Sequence, residues 1–154
     1  MRMEVSLIEI RFADPSRLND VVKLAMLLWP DNDEAELKRE FEKILEDEKA
    51  AVLLAVEEDL SIGFVHCQIR SDYVEGTSSS PVGYLEGIYV VESYRHKGVA
   101  RKLLKGCEDW VRSKGFVELA SDCELTNKTS IAFHEKLGFK ESNRVVCFVK
   151  DVDE

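Results

Sequence analysis

Residues 95–100 place basic side chains and a glycine where an apolar run ends and an amphipathic helix begins. The residues are Arg95, His96, Lys97, Gly98, Val99 and Ala100, and Arg101 follows them. The first backbone N–H groups of a helix have no partner within it, and the helix dipole adds about half a positive charge there. Glycine lets the backbone approach a ligand closely. These residue types, in this order, predict a site for a phosphate-like anion.

The spacing within this turn excludes two common phosphate-binding loops. A Walker loop needs Gly-x-x-x-x-Gly-Lys-Ser/Thr, and a dinucleotide fingerprint needs three glycines. Neither pattern fits residues 95–100. An ordinary basic turn with a solvated first helical turn stays open as the alternative.

Glu86 is a single carboxylate inside the otherwise apolar or aromatic run of residues 84–91. A carboxylate in a buried strand must be paired, neutral or functional. Gly87 beside it predicts a β-bulge, and bulges often redirect side chains next to active sites. Glu86 is therefore a candidate proton acceptor or ammonium ligand, with a structural ion pair as the alternative.

Three further polar side chains follow the helix that residues 95–100 begin. Asp122 comes at the end of a predicted strand, where sheet sites commonly lie, and the alternative is a cap for the residues that follow. Asn127 predicts the N-cap of a second helix, and Gly138 predicts its C-terminal end. His134 lies in that helix, and a histidine side chain is a frequent proton donor near neutral pH. A chemically idle, partly packed His134 is the alternative.

Mixed strands and helices must position these residues. Hydrophobic periodicity predicts strands over 4–12, 51–56, 60–70, 82–91, 116–121 and 143–150. It predicts helices from Pro15 to about Trp29, then over 33–47, 98–114 and 127–137. A polar loop covers 72–81. This order predicts an α/β or α+β fold in a single domain, 1–154, large enough for its own core.

Composition and charge exclude several classes of function. The net charge of −9 makes nucleic acid an unexpected partner. No apolar run reaches membrane-spanning length, and Met1–Glu4 lacks the layout of a signal peptide. The cysteines are widely spaced, which predicts reduced, mostly buried thiols in a cytoplasmic protein and no metal site. They are Cys67, Cys107, Cys123 and Cys147.

Two of these motifs resemble those of the GNAT acetyltransferase superfamily. Residues 95–100 match its pyrophosphate pattern, Arg/Gln-x-x-Gly-x-Gly/Ala, and Asn127, His134 and 137–139 follow its second motif, Asn…Tyr-x-x-x-Gly-Phe. The resemblance implies a mixed, mostly antiparallel sheet that splays between its fourth and fifth strands to seat acetyl-CoA, with about four flanking helices. The cofactor-binding residues that it implies are Ile88, Tyr89, Val90, Arg95, His96, Lys97, Gly98, Val99, Ala100, Arg101 and Asn127.

From about residue 20 to the C-terminus, the chain is similar to the aminoglycoside 6′-N-acetyltransferases. The matching pieces are 28–30, 72–76, 80–82, 85–90, 120–122 and 137–139. The resemblance implies direct transfer of acetyl from acetyl-CoA to the 6′-amine of an aminoglycoside, hence antibiotic resistance. It assigns Trp29, Tyr73, Glu86 and Asp122 to substrate binding, and Glu86 to catalysis as well. For Trp29, burial in the core is the alternative, whereas Tyr73 in a polar loop is harder to explain as core.

The sequence departs from the family pattern at two positions. His134 stands where the wider superfamily often has a tyrosine, and we predict that it protonates the departing CoA thiolate. Phe148 stands where some relatives have tyrosine, so no hydroxyl can act there. Members often form homodimers through the last strands, and apolar residues near the C-terminus fit that role, although core burial explains them equally.

Charge alone does not identify the substrate that accepts the acetyl group. Residues 31–48 carry nine acidic and three basic side chains, which suits a cationic substrate. A solvated helix face is the favoured alternative for most of these acids. An acetyltransferase for a polyamine, another small amine or a protein amine stays open, as does a non-catalytic acyl-CoA sensor.

Overall fold

The computed structural model describes residues 7–153, which divide after Ser121 into two compact units. Predicted strand residues 4–6 lie outside the described part. The first unit contains the whole sheet and three α-helices, and the second contains one α-helix. The prediction of a mixed, mostly antiparallel sheet with about four helices is confirmed.

A five-stranded sheet, in the order β1-β2-β3-β4-β5, forms the centre of the first unit. Its strands are β1 (Ile8–Phe12), β2 (Ala50–Glu57), β3 (Leu60–Arg70), β4 (Val82–Val90) and β5 (Leu119–Ala120). The first four strands pair antiparallel, and β5 pairs parallel with β4. Successive side chains of each strand point to opposite faces of the sheet, and the apolar side chains on each face need a covering layer.

Two helices cover one face of this sheet. A 3₁₀ turn (Pro15–Arg17), capped by the Asp14 side chain, leads into α1 (Leu18–Leu28), and α2 (Glu34–Glu46) follows. Their apolar stripes form one core with the side chains of Val52, Leu54 and Phe64. The predicted helices are confirmed, and Pro15 begins the first of them because its missing N–H is not needed there.

The helix α3 (Val99–Ser113) packs against the other face. A Cβ atom on Gly106 of α3 would lie 2.7 Å from Leu53 Cδ2, and Leu53 alternates with Val52 and Leu54 of the first core. A Cβ atom on Gly83 of β4 would lie 2.4 Å from Val111 of α3. Glycine at both positions allows this helix to approach the sheet closely.

The second unit contains α4 (Lys128–Lys136) and an extended segment. The predicted end at Gly138 is confirmed, because Gly138 has a φ of +95° just after the helix. The predicted strand 143–150 is wrong: residues 140–153 are exposed and have no strand structure. Strand 116–121 shortens to β5, two residues long. The backbone N–H and C=O groups of a strand need hydrogen-bond partners on a neighbouring strand, and apolar side chains alone do not provide them.

The cysteines also correct the sequence analysis. Cys67 of β3 and Cys107 of α3 are buried and joined by a disulfide, with their Cα atoms 6.4 Å apart. The expectation of reduced thiols is wrong for this pair, because the packing of α3 on the sheet brings the two side chains together. Cys123 and Cys147 are free but exposed, so the expectation of burial is wrong for them.

Among residues 7–153, no helix has the length and apolar character to cross a membrane. In the same residues, no group of three or more histidine, cysteine or acidic side chains is arranged to hold a metal ion.

Candidate active site

Glu86 occupies the β-bulge that Gly87 predicts. His66 of β3 pairs with Gly87, while Cys67 pairs with Leu85, so Glu86 is the extra residue on β4. A bulge bends its strand and redirects the side chain of the extra residue. The side chain of Glu86 keeps 23% of its surface exposed, which suits a carboxylate that meets a ligand.

Arg70, the last residue of β3, holds the Glu86 carboxylate. Its Nη2 donates to Oε1 at 2.7 Å and to Oε2 at 2.9 Å, and its Nε donates to Oε1 at 3.0 Å. Burial lowers the pKa of Arg70, but the hydrogen bonds and attraction to Glu86 outweigh it, so the net pKa is raised. Glu86 therefore does form an ion pair, which was the alternative interpretation of this residue. Arg70 was not predicted from the sequence, because the pairing of β3 with β4, and not local spacing, brings it to Glu86.

His66 is a second residue that the sequence analysis missed. It lies on β3 two and four residues before Gln68 and Arg70, so the three share one face of the strand. Its Nε2 lies 3.2 Å from Gln68 Oε1, and its ring meets Phe41 edge-on with centroids 5.7 Å apart. Burial lowers the pKa of His66 more than the hydrogen bond to Gln68 raises it.

Trp29 lies beside the bulge at the end of α1. Its ring is partly buried and meets Phe64 edge-on, with centroids 6.2 Å apart. A Cβ atom on Gly87 would lie 2.5 Å from Trp29 Cη2, so glycine is required at that position. Both interpretations of Trp29 therefore apply to one ring, which packs on the core and borders the residue next to Glu86.

Tyr73 lies in the loop between β3 and β4 and does not belong to the core. Its side chain is 82% exposed, and its hydroxyl donates to the Glu75 carboxylate, which raises the pKa of Tyr73. The Glu118 carboxylate anchors this loop, since it accepts the Ser78 N–H at 2.9 Å and the Ser79 hydroxyl. The loop thus presents an aromatic side chain to solvent from an anchored backbone.

The β4 strand leaves one backbone edge open downstream of the bulge. Among the described residues, only Gly83 and Tyr84 pair with β5. Val91 donates its N–H to the carbonyl of Ile62 in β3, so the alternating backbone turns the N–H and carbonyl of Val90 toward the other edge. The pairing of β4 with β5 thus ends at Tyr84, and this is the predicted splay between the fourth and fifth strands. It leaves the backbone of Ile88, Tyr89 and Val90 unpaired with β5, although the side chain of Val90 is buried.

A short 3₁₀ turn (Glu92–Tyr94) separates this open stretch from the basic turn. His96 and Gly98 have φ values of +63° and +80°, and α3 begins at Val99. A Cβ atom on Gly98 would meet nothing within 4 Å, so the backbone angle, and not crowding, favours glycine there. Arg95 Nε donates to the Val90 carbonyl at 2.9 Å, which ties the turn to the end of β4.

The cationic side chains around this turn remain exposed. The described residues 95–98 are all exposed, as is Arg101 in the first turn of α3. Lys97 Nζ lies 5.4 Å from the centroid of the Tyr94 ring, and the Tyr94 hydroxyl donates to Glu57 at 2.9 Å. The basic side chains of residues 95–97 and Arg101 thus place positive charge at the N-terminus of α3, an arrangement that binds phosphate groups.

The second unit contains three of the predicted site residues. Asn127 is the N-cap of α4, as predicted, and its Oδ1 accepts the Ser130 N–H at 3.0 Å. His134 Nδ1 lies 2.7 Å from the Ser130 carbonyl, so Nδ1 carries a proton and donates it there. The His134 ring also meets Phe139 edge-on, with centroids 5.3 Å apart. Asp122 is exposed.

A comparison with known proteins identifies the family to which this arrangement belongs. The model of the acetyltransferase (GNAT) family matches residues 18–139, on both sides of the division after Ser121. An aminoglycoside N(6′)-acetyltransferase type 1 from Acinetobacter genomosp. 13 is 43% identical over 89% of this chain and 94% of its own length. The enzyme of that name from Acinetobacter haemolyticus is 40% identical over 94% of this chain and 99% of its own.

Solved structures show the same similarity. AAC(6′)-Iy in complex with the bisubstrate analogue CoA-S-monomethyl-acetylneamine superposes with a TM-score of 0.90 at 37% identity, covering 95% of this chain and 99% of that one. AAC(6′)-Ih from Acinetobacter baumannii, an aminoglycoside antibiotic 6′-N-acetyltransferase, also superposes with a TM-score of 0.90 at 37% identity, covering 96% of this chain and 100% of that one.

Proposed function

We propose that this chain, which belongs to the acetyltransferase (GNAT) family and its aminoglycoside N(6′)-acetyltransferase group, acetylates the 6′-amine of an aminoglycoside antibiotic and so confers resistance. The chain is an acetyltransferase, and acetyl-CoA is its co-substrate. The observation that carries the proposal is the continuity of β4. One strand presents the Glu86 carboxylate, then an open backbone edge, then the basic turn at the start of α3.

Acetyl-CoA is held in this proposal by β4 and the turn that follows it. The exposed residues 95–98, with Arg101 and the first N–H groups of α3 at Val99 and Ala100, bind the pyrophosphate. The backbone of Ile88–Val90 holds the pantetheine arm, and its N–H groups stabilise the negative charge that develops on the thioester oxygen. Asn127 contacts the same arm.

The acetyl group moves directly between the two bound substrates. The neutral 6′-amine attacks the thioester carbonyl, so that a C–N bond forms, the C–S bond breaks and CoA leaves as its thiolate. Holding both reactants in one complex supplies much of the rate enhancement. Glu86 binds the substrate amine and accepts its proton, directly or through water.

His134 donates a proton to the CoA thiolate in this proposal. Because its Nδ1–H is engaged by the Ser130 carbonyl, Nε2 can donate only when the ring is an imidazolium. The proton that the thiolate receives therefore has to be on His134 before the C–S bond breaks. A neutral His134 would accept a hydrogen bond at Nε2 and could not protonate the thiolate.

Trp29, Tyr73 and Asp122 complete the aminoglycoside site that we propose. An aromatic face near a cationic sugar gains roughly 0.5–2 kcal/mol from cation–π attraction. The exposure of Tyr73 and the place of Trp29 beside the bulge support these two contacts. Asp122 pairs with a second substrate ammonium, which its exposed position allows.

The quaternary state and cellular place are part of the same proposal. Apolar side chains in the C-terminal segment are exposed, Phe148 by 91% and Val149 by 95%, and a second copy of the chain would cover them in a homodimer. Sedimentation equilibrium tests this: a monomeric mass at micromolar protein would exclude the dimer.

We place the enzyme in the cytoplasm, where acetyl-CoA is supplied, and treat residues 1–154 as one domain.

The test of the function is thiol release from acetyl-CoA by the purified chain. Kanamycin and tobramycin carry a 6′-amine, paromomycin carries a 6′-hydroxyl, and spermidine is a polyamine without the sugar rings. We expect turnover with the 6′-amino compounds only. Turnover with spermidine alone would assign the enzyme to polyamines, and binding of acetyl-CoA without any turnover would indicate a sensor.

A further inference from the structure

We infer that Arg70 is a positioning residue for the reaction, because it orients the Glu86 carboxylate and leaves the larger acceptor capacity on one of its oxygens, Oε2, for the substrate amine. This inference rests on the proposed function, since it gives Arg70 a role only through Glu86. It adds a residue that neither the motifs nor the family resemblance assigned.

The hydrogen bonds between the two side chains divide the carboxylate unequally. Arg70 Nη2 and Nε both donate to Oε1, at 2.7 and 3.0 Å, while Nη2 alone donates to Oε2, at 2.9 Å. A carboxylate has about four acceptor positions, two on each oxygen. One N–H of Nη2 is shared between the two oxygens, so Arg70 engages Oε1 with two nitrogens and Oε2 with one. The larger acceptor capacity therefore remains on Oε2.

Arg70 is itself held in place on the sheet. Its Cζ lies 3.6 Å from the centroid of the Tyr84 ring, and Tyr84 is buried in β4. Arg70 and Gln68 pair with Val82 and Tyr84, so this contact is set by the register of β3 and β4. The bulge then brings Glu86 back over the same guanidinium. A stacked, planar donor loses little freedom when it binds a carboxylate with two nitrogens.

A carboxylate that Arg70 holds in one orientation acts differently from a carboxylate without a partner. A free glutamate at a bulge samples several rotamers and presents either oxygen. Held by Arg70, Glu86 offers Oε2 in one direction, which orients the amine toward the thioester. Because misplacement of a reacting group by about 1 Å can reduce a rate about 100-fold, loss of this orientation should lower turnover.

The experiment uses Arg70→Lys, Arg70→Ala and Glu86→Gln, with Arg112→Lys as the matched control. Arg112 also pairs with a carboxylate, that of Asp109, but on the exposed side of α3. For tobramycin we expect kcat to fall about 10-fold in Arg70→Lys and about 100-fold in Arg70→Ala, with the KM for acetyl-CoA within about twofold of wild type. Methylguanidine should restore part of the turnover of Arg70→Ala. Arg112→Lys should match wild type.

A double variant separates positioning from a structural role. If Arg70 acts through Glu86, Arg70→Ala should lower kcat little further when Glu86→Gln is already present. Additive losses, unchanged kcat in Arg70→Ala, or a lower KM for tobramycin at unchanged kcat would overturn the inference. The last result would mean that Arg70 competes with the substrate for Glu86.

Wild-type turnover distinguishes failure of the inference from failure of the proposed function. An active wild type with unaffected Arg70 variants overturns the inference alone. A wild type that acetylates spermidine and not tobramycin overturns the proposed function, and the same variants with spermidine then decide the role of Arg70. A wild type that acetylates neither substrate overturns both.

Discussion

The environment of Glu86 depends on its two neighbours in space, Gly87 and Arg70. Gly87 allows the Trp29 ring to approach β4 more closely than any Cβ would permit. Arg70 neutralises the carboxylate that the bulge turns out of the sheet. A carboxylate in an apolar strand is costly without a partner, so the pairing with Arg70 and the proposed function at Glu86 are compatible. The ion pair offsets the cost of keeping this carboxylate in the strand.

Glu86→Gln should lower kcat far more than it changes acetyl-CoA binding. The amide keeps the size of the side chain but cannot accept a proton, and removal of such a group typically costs about 10²- to 10⁴-fold in rate. Steady-state kinetics with tobramycin give kcat, and titration with acetyl-CoA gives its Kd. A similar loss in both quantities would contradict the assignment and indicate a structural role.

Gly98→Ala should weaken acetyl-CoA binding, with Gly115→Ala as its control. Both glycines have positive φ, +80° and +92°, and a Cβ atom on either meets nothing within 4 Å. Alanine in the left-handed region costs roughly 1–2 kcal/mol of folding stability at either site. Only Gly98 lies in the basic turn, so only its variant should raise the Kd for acetyl-CoA. Equal Kd values for the two variants would contradict the proposed phosphate site.

At the scale of the element, the loop between β3 and β4 depends on one carboxylate. Hydrogen bonds from the Ser79 hydroxyl and the Ser78 N–H hold the pKa of Glu118 below its ordinary value of 4.5. A lowered folded pKa means that this anchor is present above pH 4.5 and is lost as the pH falls through the folded value. The loop that presents Tyr73 should therefore loosen only in acid.

The Ser78 amide should report this anchor directly. We expect its proton chemical shift to move with pH, with a midpoint below 4.5, because protonation removes the charged acceptor. In Glu118→Gln the shift should no longer titrate, and the KM for tobramycin should rise. A midpoint at or above 4.5 would contradict the anchoring role.

The elements also show how far the sequence can be interpreted alone. Helical spacing predicted α2 and α3 to within about a residue, because their buried faces are set by local periodicity. The bulge at Glu86 was predicted because Gly87 is its local signal. The failed strand 143–150 has apolar character too, but it forms no strand in the described chain. Arg70 and His66 were missed because strand pairing, which has no local signal, brings them to Glu86.

At the scale of the whole molecule, much of the negative charge lies on α2 and the residues that flank it. In α2 only Leu37 and Phe41 are buried, while the acidic side chains of residues 31–48 are exposed. This arrangement fits the solvated-face interpretation of those acids. Their long-range field still favours the approach of a polycation, an effect that salt screens within about 10 Å at 0.1 M ionic strength. We expect these acids to contribute to encounter through this field.

Global stability should fall in mild acid because of His66. Burial is the main reason that the pKa of this histidine lies below its ordinary value of 6.5, and the hydrogen bond to Gln68 only partly opposes it. The unfolded chain then binds a proton more readily than the folded one. The stabilisation is complete above pH 6.5 and is lost as the pH falls through the folded pKa, at no more than about 1.4 kcal/mol per pH unit for one proton.

Denaturant unfolding of wild type and His66→Gln at pH 7.5, 6.5 and 5.5 measures this contribution. Glutamine can still donate to Gln68 Oε1 but does not titrate, so the difference in unfolding free energy between the two proteins isolates the histidine. We expect wild type to lose stability relative to His66→Gln on going from pH 6.5 to 5.5, and little between 7.5 and 6.5. A difference that stays constant over this range, or an NMR titration of His66 with a midpoint above 6.5, would mean that the buried face of β3 admits the charged ring. The face of β3 that carries His66, Gln68 and Arg70 beside Glu86 would then be open to water without substrate.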